Sequence, residues 1–193
     1  EAKAYGDLYE EIVEAIHVEY VTRSGRMVSE TQAACVLMLY FDLIKPEFRN
    51  RILETLELNI GAHHNHLTTG FVGTPYLCHC LSENGLHGLA DEIFMKEDFP
   101  GWLYAVKKGA TTIWERWNSY TVEGGFNGNN SMNSFNHFSL GAISEWMMSY
   151  QLGITREDGQ AGYKSFVLQP TVGGTFTYAN GSYESNYGTI ESG

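Results

Sequence analysis

Helical segments of two kinds follow one another along the first 150 residues of this 193-residue chain. Two segments carry a single apolar stripe at helical spacing: Leu8, Ile12, Ile16 and Tyr20, then Phe48, Ile52, Leu56 and Ile60. Between them, residues 36–44 are apolar on all sides, which indicates a helix that is buried all round. Buried helices beside one-sided helices are typical of layered antiparallel helix pairs. The pattern therefore predicts a helical toroid, with an inner ring wrapped by an outer ring.

Cap and turn residues predict where the other helices begin and end. Ser29 and Gln32 fit a capping box that opens the buried helix. Thr74-Pro75 predicts the start of a helix that ends at Asn84-Gly85. Further helices are predicted over residues 86–95, 101–107 and 137–150.

The composition changes after Gly159. Three β-prone segments separated by glycines follow: residues 165–170, 174–179 and 182–183. They indicate the first strands of an antiparallel sheet. We therefore expect a mainly α chain, with a helical domain over residues 1–158 and the beginning of a β domain over residues 159–193.

The charge and hydropathy of the chain exclude two classes of partner. The net charge is −11, from 12 Lys+Arg against 23 Asp+Glu, whereas nucleic acids and anionic membranes require basic surfaces. No apolar run approaches the roughly 18 residues of a membrane span. We expect a neutral ligand, no nucleic acid and no membrane. The first residues are helix-like, without a signal peptide, so they leave the compartment open, whether cytoplasm, periplasm or outside the cell.

Histidines and cysteines are the candidates for metal binding. His63, His64 and His66 follow Gly61, where imidazoles can bond the spare carbonyls of a helix end, and they fit no zinc pattern. Three cysteines make no even disulfide set, which indicates reduced thiols, with Cys35 in the core. We expect neither a metal nor a cofactor.

Residues 109–117 are the first candidate for chemistry. Glu115 lies between Trp114 and Trp117 and beside Arg116, and Gly109 marks a helix end. Indole faces are apolar platforms for the C–H surfaces of sugars, and a carboxylate between them can transfer protons or stabilise positive charge. The alternative is a tryptophan-rich helix start in which Glu115 pairs with Arg116.

Residues 132–137 are the second candidate. Their amide, hydroxyl and imidazole groups, including Asn136 and His137, can read sugar hydroxyls, 22 residues after Glu115. The alternative is that Ser134 or Asn136 caps the following helix. Residues 124–130 have no lysine of a phosphate-binding loop and indicate a long loop over a site. Thr31-Gln32 and residues 68–71 are expected at the mouth of the same site.

Five ordered blocks resemble the bacterial α-L-rhamnosidases of glycoside hydrolase family 78. The blocks are Thr31-Gln32 and residues 66–77, 99–102, 109–117 and 132–137. The resemblance covers nearly the whole chain and implies an (α/α)6 barrel followed by a β-sandwich. It also implies inverting hydrolysis of terminal α-L-rhamnose, with Glu115 as the general base that activates water. By the same resemblance His137 contacts the sugar, and Trp114 and Trp117 flank the pocket.

The resemblance also implies that this chain holds half of a catalytic barrel. The general acid of the family lies upstream, in a segment rich in Asp, Arg and Glu that has no counterpart here. A full toroid needs about twelve helices, and the sequence predicts about seven. We therefore expect the isolated chain to be inactive and to dimerise through surfaces that truncation exposes.

Two other functions fit the same residues. Other (α/α)6 glycosidases and lyases also present carboxylates and tryptophans. A non-catalytic carbohydrate-binding or scaffold module would use Glu115 only to accept hydrogen bonds from sugar hydroxyls.

Overall fold

The computed structural model describes residues 1–126, 133–171 and 174–193. In these residues the chain forms seven α-helices and then two antiparallel hairpins. The helices are α1 Ala2–Tyr20, α2 Gln32–Tyr40, α3 Arg49–Ala62, α4 Thr74–Glu83, α5 His87–Phe94, α6 Trp102–Lys107 and α7 Ile143–Trp146. Two compact units divide the chain, residues 1–80 and residues 81–193. None of the helices in this part of the chain is both long and apolar enough to cross a bilayer.

The N-terminus of α2 differs from the prediction. Thr31 is the N-cap, and its Oγ1 accepts a hydrogen bond from the backbone N–H of Ala34 at 3.2 Å. The predicted capping box from Ser29 to Gln32 is wrong, because the Gln32 side chain is used elsewhere. Its Nε2 donates to the carbonyl of His66 at 3.0 Å, and its Oε1 accepts from the N–H of Thr68 at 2.7 Å. Gln32 therefore joins α2 to the segment before α4.

The burial of α2 and α3 follows the apolar pattern in part. Ile52, Leu56 and Ile60 form a buried stripe on α3, as predicted, although the helix continues past Gly61 to Ala62. Cys35, Val36 and Leu39 of α2 are fully buried, and burial raises the pKa of the Cys35 thiol to about 12. The helix ends at Tyr40, and Phe41 is exposed. The prediction of a helix over residues 36–44 that is buried all round is therefore wrong at its C-terminal end.

Helix α1 is present over the predicted residues, but its apolar stripe is exposed. Leu8 and Ile12 are 48% and 45% exposed. The buried residue of this helix is His17, whose Nε2 accepts a hydrogen bond from the N–H of Lys45 at 3.1 Å. Within the described ranges, helix α1 therefore leaves much of its apolar face exposed.

The predicted helix over residues 137–150 is a segment of three successive helix types. A 3-10 turn, Ser139–Ala142, precedes α7, and a π turn, Met147–Gln151, follows it. The N-cap residue of the 3-10 turn is Phe138, without a side-chain bond. The alternative in which Ser134 or Asn136 caps this helix is therefore wrong. We call residues 139–151 the terminal helical segment.

The strands pair as two local hairpins. β1 Ile154–Arg156 pairs with β2 Phe166–Leu168, and β3 Gly181–Ser185 pairs with β4 Gly188–Ser192. Leu152, Ile154 and Ile190 form a buried cluster between them.

Two of the three β-prone segments were correctly predicted as strands. β2 and β3 lie in them, whereas residues 174–179, of which all are described, form no strand. The Phe176 ring packs on that of Phe94, with centroids 5.9 Å apart. Strands β1 and β4 were not predicted, and β1 precedes Gly159. The domain boundary after residue 158 stays a prediction.

Gly153 is the glycine that most constrains this end of the chain. Its φ is +64°, and a Cβ there would lie 2.0 Å from the carbonyl carbon of Gln169. Gly159 has a similar φ of +74° with no neighbouring atom within 4 Å of a Cβ. At Gly153 a side chain would meet both backbone strain and steric overlap, whereas at Gly159 it would meet the strain alone.

We predict that Gly153→Ala lowers the free energy of unfolding by about 3 kcal/mol or more, because strain and overlap add. Gly159→Ala should cost only about 1 kcal/mol, the cost of the left-handed conformation. Denaturant titration of both variants checks this. Equal losses would contradict the close approach of Gly153 to Gln169.

Candidate functional site

The two candidate tracts run alongside each other in opposite directions. The N–H of His137 donates to the carbonyl of Ile113 at 2.8 Å, and the N–H of Glu115 donates to the carbonyl of Ser134 at 2.9 Å. The hydroxyl of Thr112 also bonds the carbonyl of Phe135. Tracts that are 22 residues apart in sequence are thus held together by the main chain.

The segment that carries Glu115 is extended or in turns. Gly109, with φ +85°, ends α6 as predicted, and residues 110–120 contain no helix. Among the described residues Glu115 makes no ion pair with Arg116. The alternative of a tryptophan-rich helix start is therefore wrong.

The Glu115 carboxylate is held by the backbone. Its Oε2 accepts a hydrogen bond from the N–H of Ser134 at 2.6 Å, and the side chain is half-buried. Together with the bond from the N–H of Glu115 to the carbonyl of Ser134, this closes a reciprocal pair between the two residues. A short hydrogen bond to an ionised oxygen restricts the rotamer and leaves the other lone pairs for a ligand or a water molecule.

Trp114 and Trp117 pack against aromatic neighbours. The Trp114 ring, 8% exposed, meets the edge of Phe135 with centroids 5.7 Å apart. The Trp117 ring meets the edge of Trp102 at 5.2 Å, and the Nε1–H of Trp102 donates to the carbonyl of Leu140 at 2.8 Å. Edge-to-face contacts of this kind fix ring orientation.

The same two tryptophans line a cavity of about 370 Å³. Its walls come from α6, residues 110–117 and the terminal helical segment, and they are mostly apolar. Trp114 and Arg116 belong to the lining, whereas Glu115 between them does not. The structure therefore places Trp114 and Trp117 on a cavity that the Glu115 carboxylate does not share.

His137 and Asn136 lie on the strand-like segment next to Glu115. Nδ1 of the half-buried His137 is 3.4 Å from the N–H of Ser139, and its ring stacks on Phe138 at 5.4 Å. Asn136 is exposed, and its backbone N–H donates to Oγ of Ser134 at 3.1 Å. Residues 127–132, most of the predicted loop over the site, lie outside the described residues.

Ser119 is a site-forming residue that the sequence did not indicate, and its partner is Asn133 of the second tract. Ser119 is 1% exposed, and its hydroxyl is within reach of Asn133 Oδ1 at 2.5 Å and of the Arg116 carbonyl at 3.0 Å. Asn133 Nδ2 donates to the carbonyl of Ser119 at 3.3 Å. These bonds tie the turn after Glu115 to the second tract. Their separation of 14 residues gives no local pattern by which a sequence could reveal the pair.

The histidines after α3 bond carbonyls of the helix end, as predicted. Nδ1 of His63 is 2.8 Å from the carbonyl of Asn59, and Nδ1 of His66 is 3.3 Å from that of His63. In the described part of the chain no three His, Cys, Asp or Glu side chains are grouped so that they could hold a metal ion. The three cysteines are buried and form no disulfide with one another, and Cys35 lies in the core as predicted. That Thr31-Gln32 and residues 68–71 lie at the mouth of the Glu115 site stays a prediction.

We predict that Ser119→Ala destabilises the chain by about 1–3 kcal/mol, because it removes the hydrogen bonds that the buried Ser119 hydroxyl makes with Asn133 and Arg116. Ser144→Ala, at an exposed position of α7, should stay within about 0.5 kcal/mol of the unmodified chain. Denaturant titration gives both values. In Ser119→Ala, hydrogen exchange should also quicken at the amide of Glu115. Unchanged exchange there would show that Ser119 does not tie the two tracts together.

Known proteins match this chain over its whole length. Residues 1–150 match the family model of the bacterial alpha-L-rhamnosidase 6 hairpin glycosidase domain, and residues 153–193 match that of the bacterial alpha-L-rhamnosidase C-terminal domain. An alpha-L-rhamnosidase of Streptomyces avermitilis is 38% identical over 190 residues, which are 98% of this chain and 18% of that protein. One of Formosa agariphila is 38% identical over 194 residues, 100% of this chain and 20% of that protein.

A solved structure also matches nearly the whole of this chain. The crystal structure of Streptomyces avermitilis alpha-L-rhamnosidase complexed with L-rhamnose matches with a TM-score of 0.92 at 38% identity, over 99% of this chain and 18% of that one. The chain thus spans about a fifth of the length of the relatives it matches. The predicted fold class, a helical hairpin domain of the (α/α)6 type followed by a C-terminal domain, is confirmed. The chain belongs to the bacterial α-L-rhamnosidase family.

Proposed function

We propose that this chain is part of a glycoside hydrolase that removes terminal α-L-rhamnose from glycosides or polysaccharides. Its contribution to the reaction is Glu115, acting as the general base. The observation that carries this proposal is the carboxylate of Glu115, held at 2.6 Å by the N–H of Ser134 within a chain of this family.

The geometry suits a base that activates water. An inverting glycosidase needs one carboxylate to take a proton from the attacking water and a second carboxyl, about 6.5–9.5 Å away, to protonate the leaving oxygen. The Ser134 bond to Oε2 fixes the carboxylate while the remaining lone pairs can accept the proton of a water molecule. A base held by main-chain bonds needs no reorganisation during the reaction.

The sugar would be read by the neighbouring segment. The exposed amide of Asn136 offers both donors and an acceptor, and the imidazole of His137 adds a further polar group. That Trp114 and Trp117 flank the sugar stays a prediction, because the cavity they line does not include Glu115. The general acid would come from the part of the barrel to which residues 1–158 are joined in the parent protein.

We predict that Glu115→Gln, made in the parent protein that contains residues 1–193, lowers kcat on an aryl α-L-rhamnoside by about 10²–10⁴-fold or more. The amide keeps the hydrogen bond from Ser134 but cannot accept a proton from water. Glu123→Gln, at an exposed position eight residues on, is the matched control and should keep full activity. NMR of the unmodified enzyme should show rhamnose released first as the inverted anomer.

Other outcomes separate the alternatives. If Glu115→Gln binds rhamnose as well as the unmodified protein and neither hydrolyses the rhamnoside, the binding-module function is correct. Inhibition by glucose as strong as by rhamnose would indicate a different (α/α)6 enzyme. Hydrolysis by the 193-residue chain alone would contradict the proposal that it holds only one of the two carboxyl groups.

We further predict that the 193-residue chain self-associates at micromolar concentration. Helix α1 exposes Tyr5, Leu8, Tyr9 and Ile12, and an apolar face of this kind is stabilised when a second copy covers it. Sedimentation velocity should show a dimer or larger species. Ile12→Lys should shift the chain toward monomer, whereas Leu58→Lys, at an isolated exposed leucine of α3, should not. A monomer in both the unmodified chain and the Ile12→Lys variant would exclude association through α1.

A further inference from the structure

Four side chains in residues 81–193 form a continuous polar relay away from Glu115. The Nε1–H of Trp146 donates to Oγ of Ser82 at 2.9 Å, and Oγ of Ser82 is 2.9 Å from Nδ1 of His87. Nε2 of His87 lies 3.4 Å from Oδ1 of Asp91. We call Trp146, Ser82, His87 and Asp91 the polar relay.

The chemistry of these groups gives the relay a direction. An indole N–H can only donate, so it occupies one lone pair of the Ser82 oxygen. The Ser82 hydroxyl hydrogen is then available to Nδ1 of His87, with the ring hydrogen on Nε2 facing the Asp91 carboxylate. The Gln151 amide, also 3.4 Å from Nε2, donates to Oδ1 of Asp91 at the shorter distance of 2.6 Å. In this arrangement each contact along the relay joins a donor to an acceptor.

The Asp91 end of the relay is fixed by burial. Asp91 is 0% exposed, and its Oδ2 has no hydrogen-bond partner in the described residues. A Cβ at Gly174 would lie 1.9 Å from this oxygen, so the carboxyl packs directly against the backbone of Gly174. Burial raises the pKa of Asp91, and His87 and the Gln151 bond offset part of that rise. The bond from Gln151 holds Oδ1 of Asp91 beside His87.

The order serine, histidine and aspartate is also that of a nucleophilic triad. The role of Ser82 differs, because the N–H of Trp146 occupies its oxygen, and Trp146 is itself fully buried. Ser82 therefore acts as a connector between the indole and the imidazole.

A row of aromatic rings continues from the relay to the candidate site. His87 stacks on Trp146 at 5.7 Å, Trp146 packs on Phe94 at 5.6 Å, and Phe94 packs on Trp102 at 5.8 Å. Trp102 then meets the edge of Trp117 at 5.2 Å. Trp117 lies two residues after the proposed base. Because close-packed rings transmit displacement, the orientation of Trp146 bears on that of Trp117.

We propose that Ser82 and His87 are positioning residues that, through Trp146 and the aromatic row, set the orientation of Trp117 beside Glu115. The effect of this coupling on catalysis rests on the proposed function of Glu115. The physical coupling itself does not, and it can be measured in the 193-residue chain.

The test is NMR of the ¹⁵N-labelled chain, with indole signals assigned by Trp→Phe variants. Long-range ¹H–¹⁵N spectra of the unmodified chain should show His87 with hydrogen on Nε2. Ser82→Ala should move the indole N–H signals of both Trp146 and Trp117. Ser82→Thr, which keeps the hydroxyl, should restore both signals. Ser149→Ala is the control, since its hydroxyl bonds only Glu145 on the exposed side of the same segment, and it should move neither.

Two results would overturn the proposal. One is hydrogen on Nδ1 of His87, which reverses the relay. The other is a Trp117 signal that stays fixed when that of Trp146 moves. If Ser82→Ala does not fold, the proposal is decided by the tautomer of His87 in the unmodified chain and by the indole signals of Ser82→Thr.

The parent enzyme adds a separate readout. Ser82→Ala should lower kcat, by up to about 10²-fold, with KM nearly unchanged. The reason is that a displaced Glu115 segment affects the position of the base more than it affects sugar binding. A normal kcat together with coupled NMR signals would leave the coupling intact and show that it has no part in catalysis. Failure of the Glu115→Gln prediction would concern the proposed function alone.

Discussion

The reciprocal pair of hydrogen bonds between Glu115 and Ser134 is the interaction on which the candidate site depends. It joins two tracts that are 19 residues apart at this point, and it uses main-chain groups of both. Because one bond of the pair ends on the carboxylate, the fold and the site are fixed by the same contact. Substitution of Ser134 alone would leave its N–H and carbonyl in place, so the carboxylate is held by backbone geometry more than by the identity of its neighbour.

Sequence reasoning located the helices well because helix formation is local. The stripe on α3 and the proline and glycine signals around α4 each report contacts within a few residues. It failed where a distant group competes for a side chain. Gln32 was assigned to a capping box, yet its amide bonds residues 66 and 68, which no local pattern shows. Likewise β1 and β4 are three- and five-residue strands whose pairing is set by partners and turns, and their own composition is not distinctive.

The candidate site, like the fold, was predicted from local signals and not from contacts between distant residues. Glu115, Asn136 and His137 were found because their residue types and the five ordered blocks resemble a family, and the structure places them on adjacent segments. Asn133 lies in the second predicted tract, but its partner Ser119 was missed, since a serine in a turn looks the same whether its hydroxyl faces water or an amide. Trp114 and Trp117 were expected around the same pocket as Glu115. In the structure they line a cavity whose lining does not include Glu115, and no local pattern in the sequence indicates this.

Residues 113–117 are restrained by two sets of neighbours. Glu115 is restrained by Ser134, whereas Trp114 and Trp117 are restrained by Phe135 and Trp102. A displacement of the tryptophans would act on the short segment that carries the carboxylate, which main-chain bonds hold at Ile113 and Glu115. The polar relay, as proposed, acts on this segment through Trp102 and Trp117. Packing behind a base can thus limit its position as strictly as hydrogen bonds in front of it.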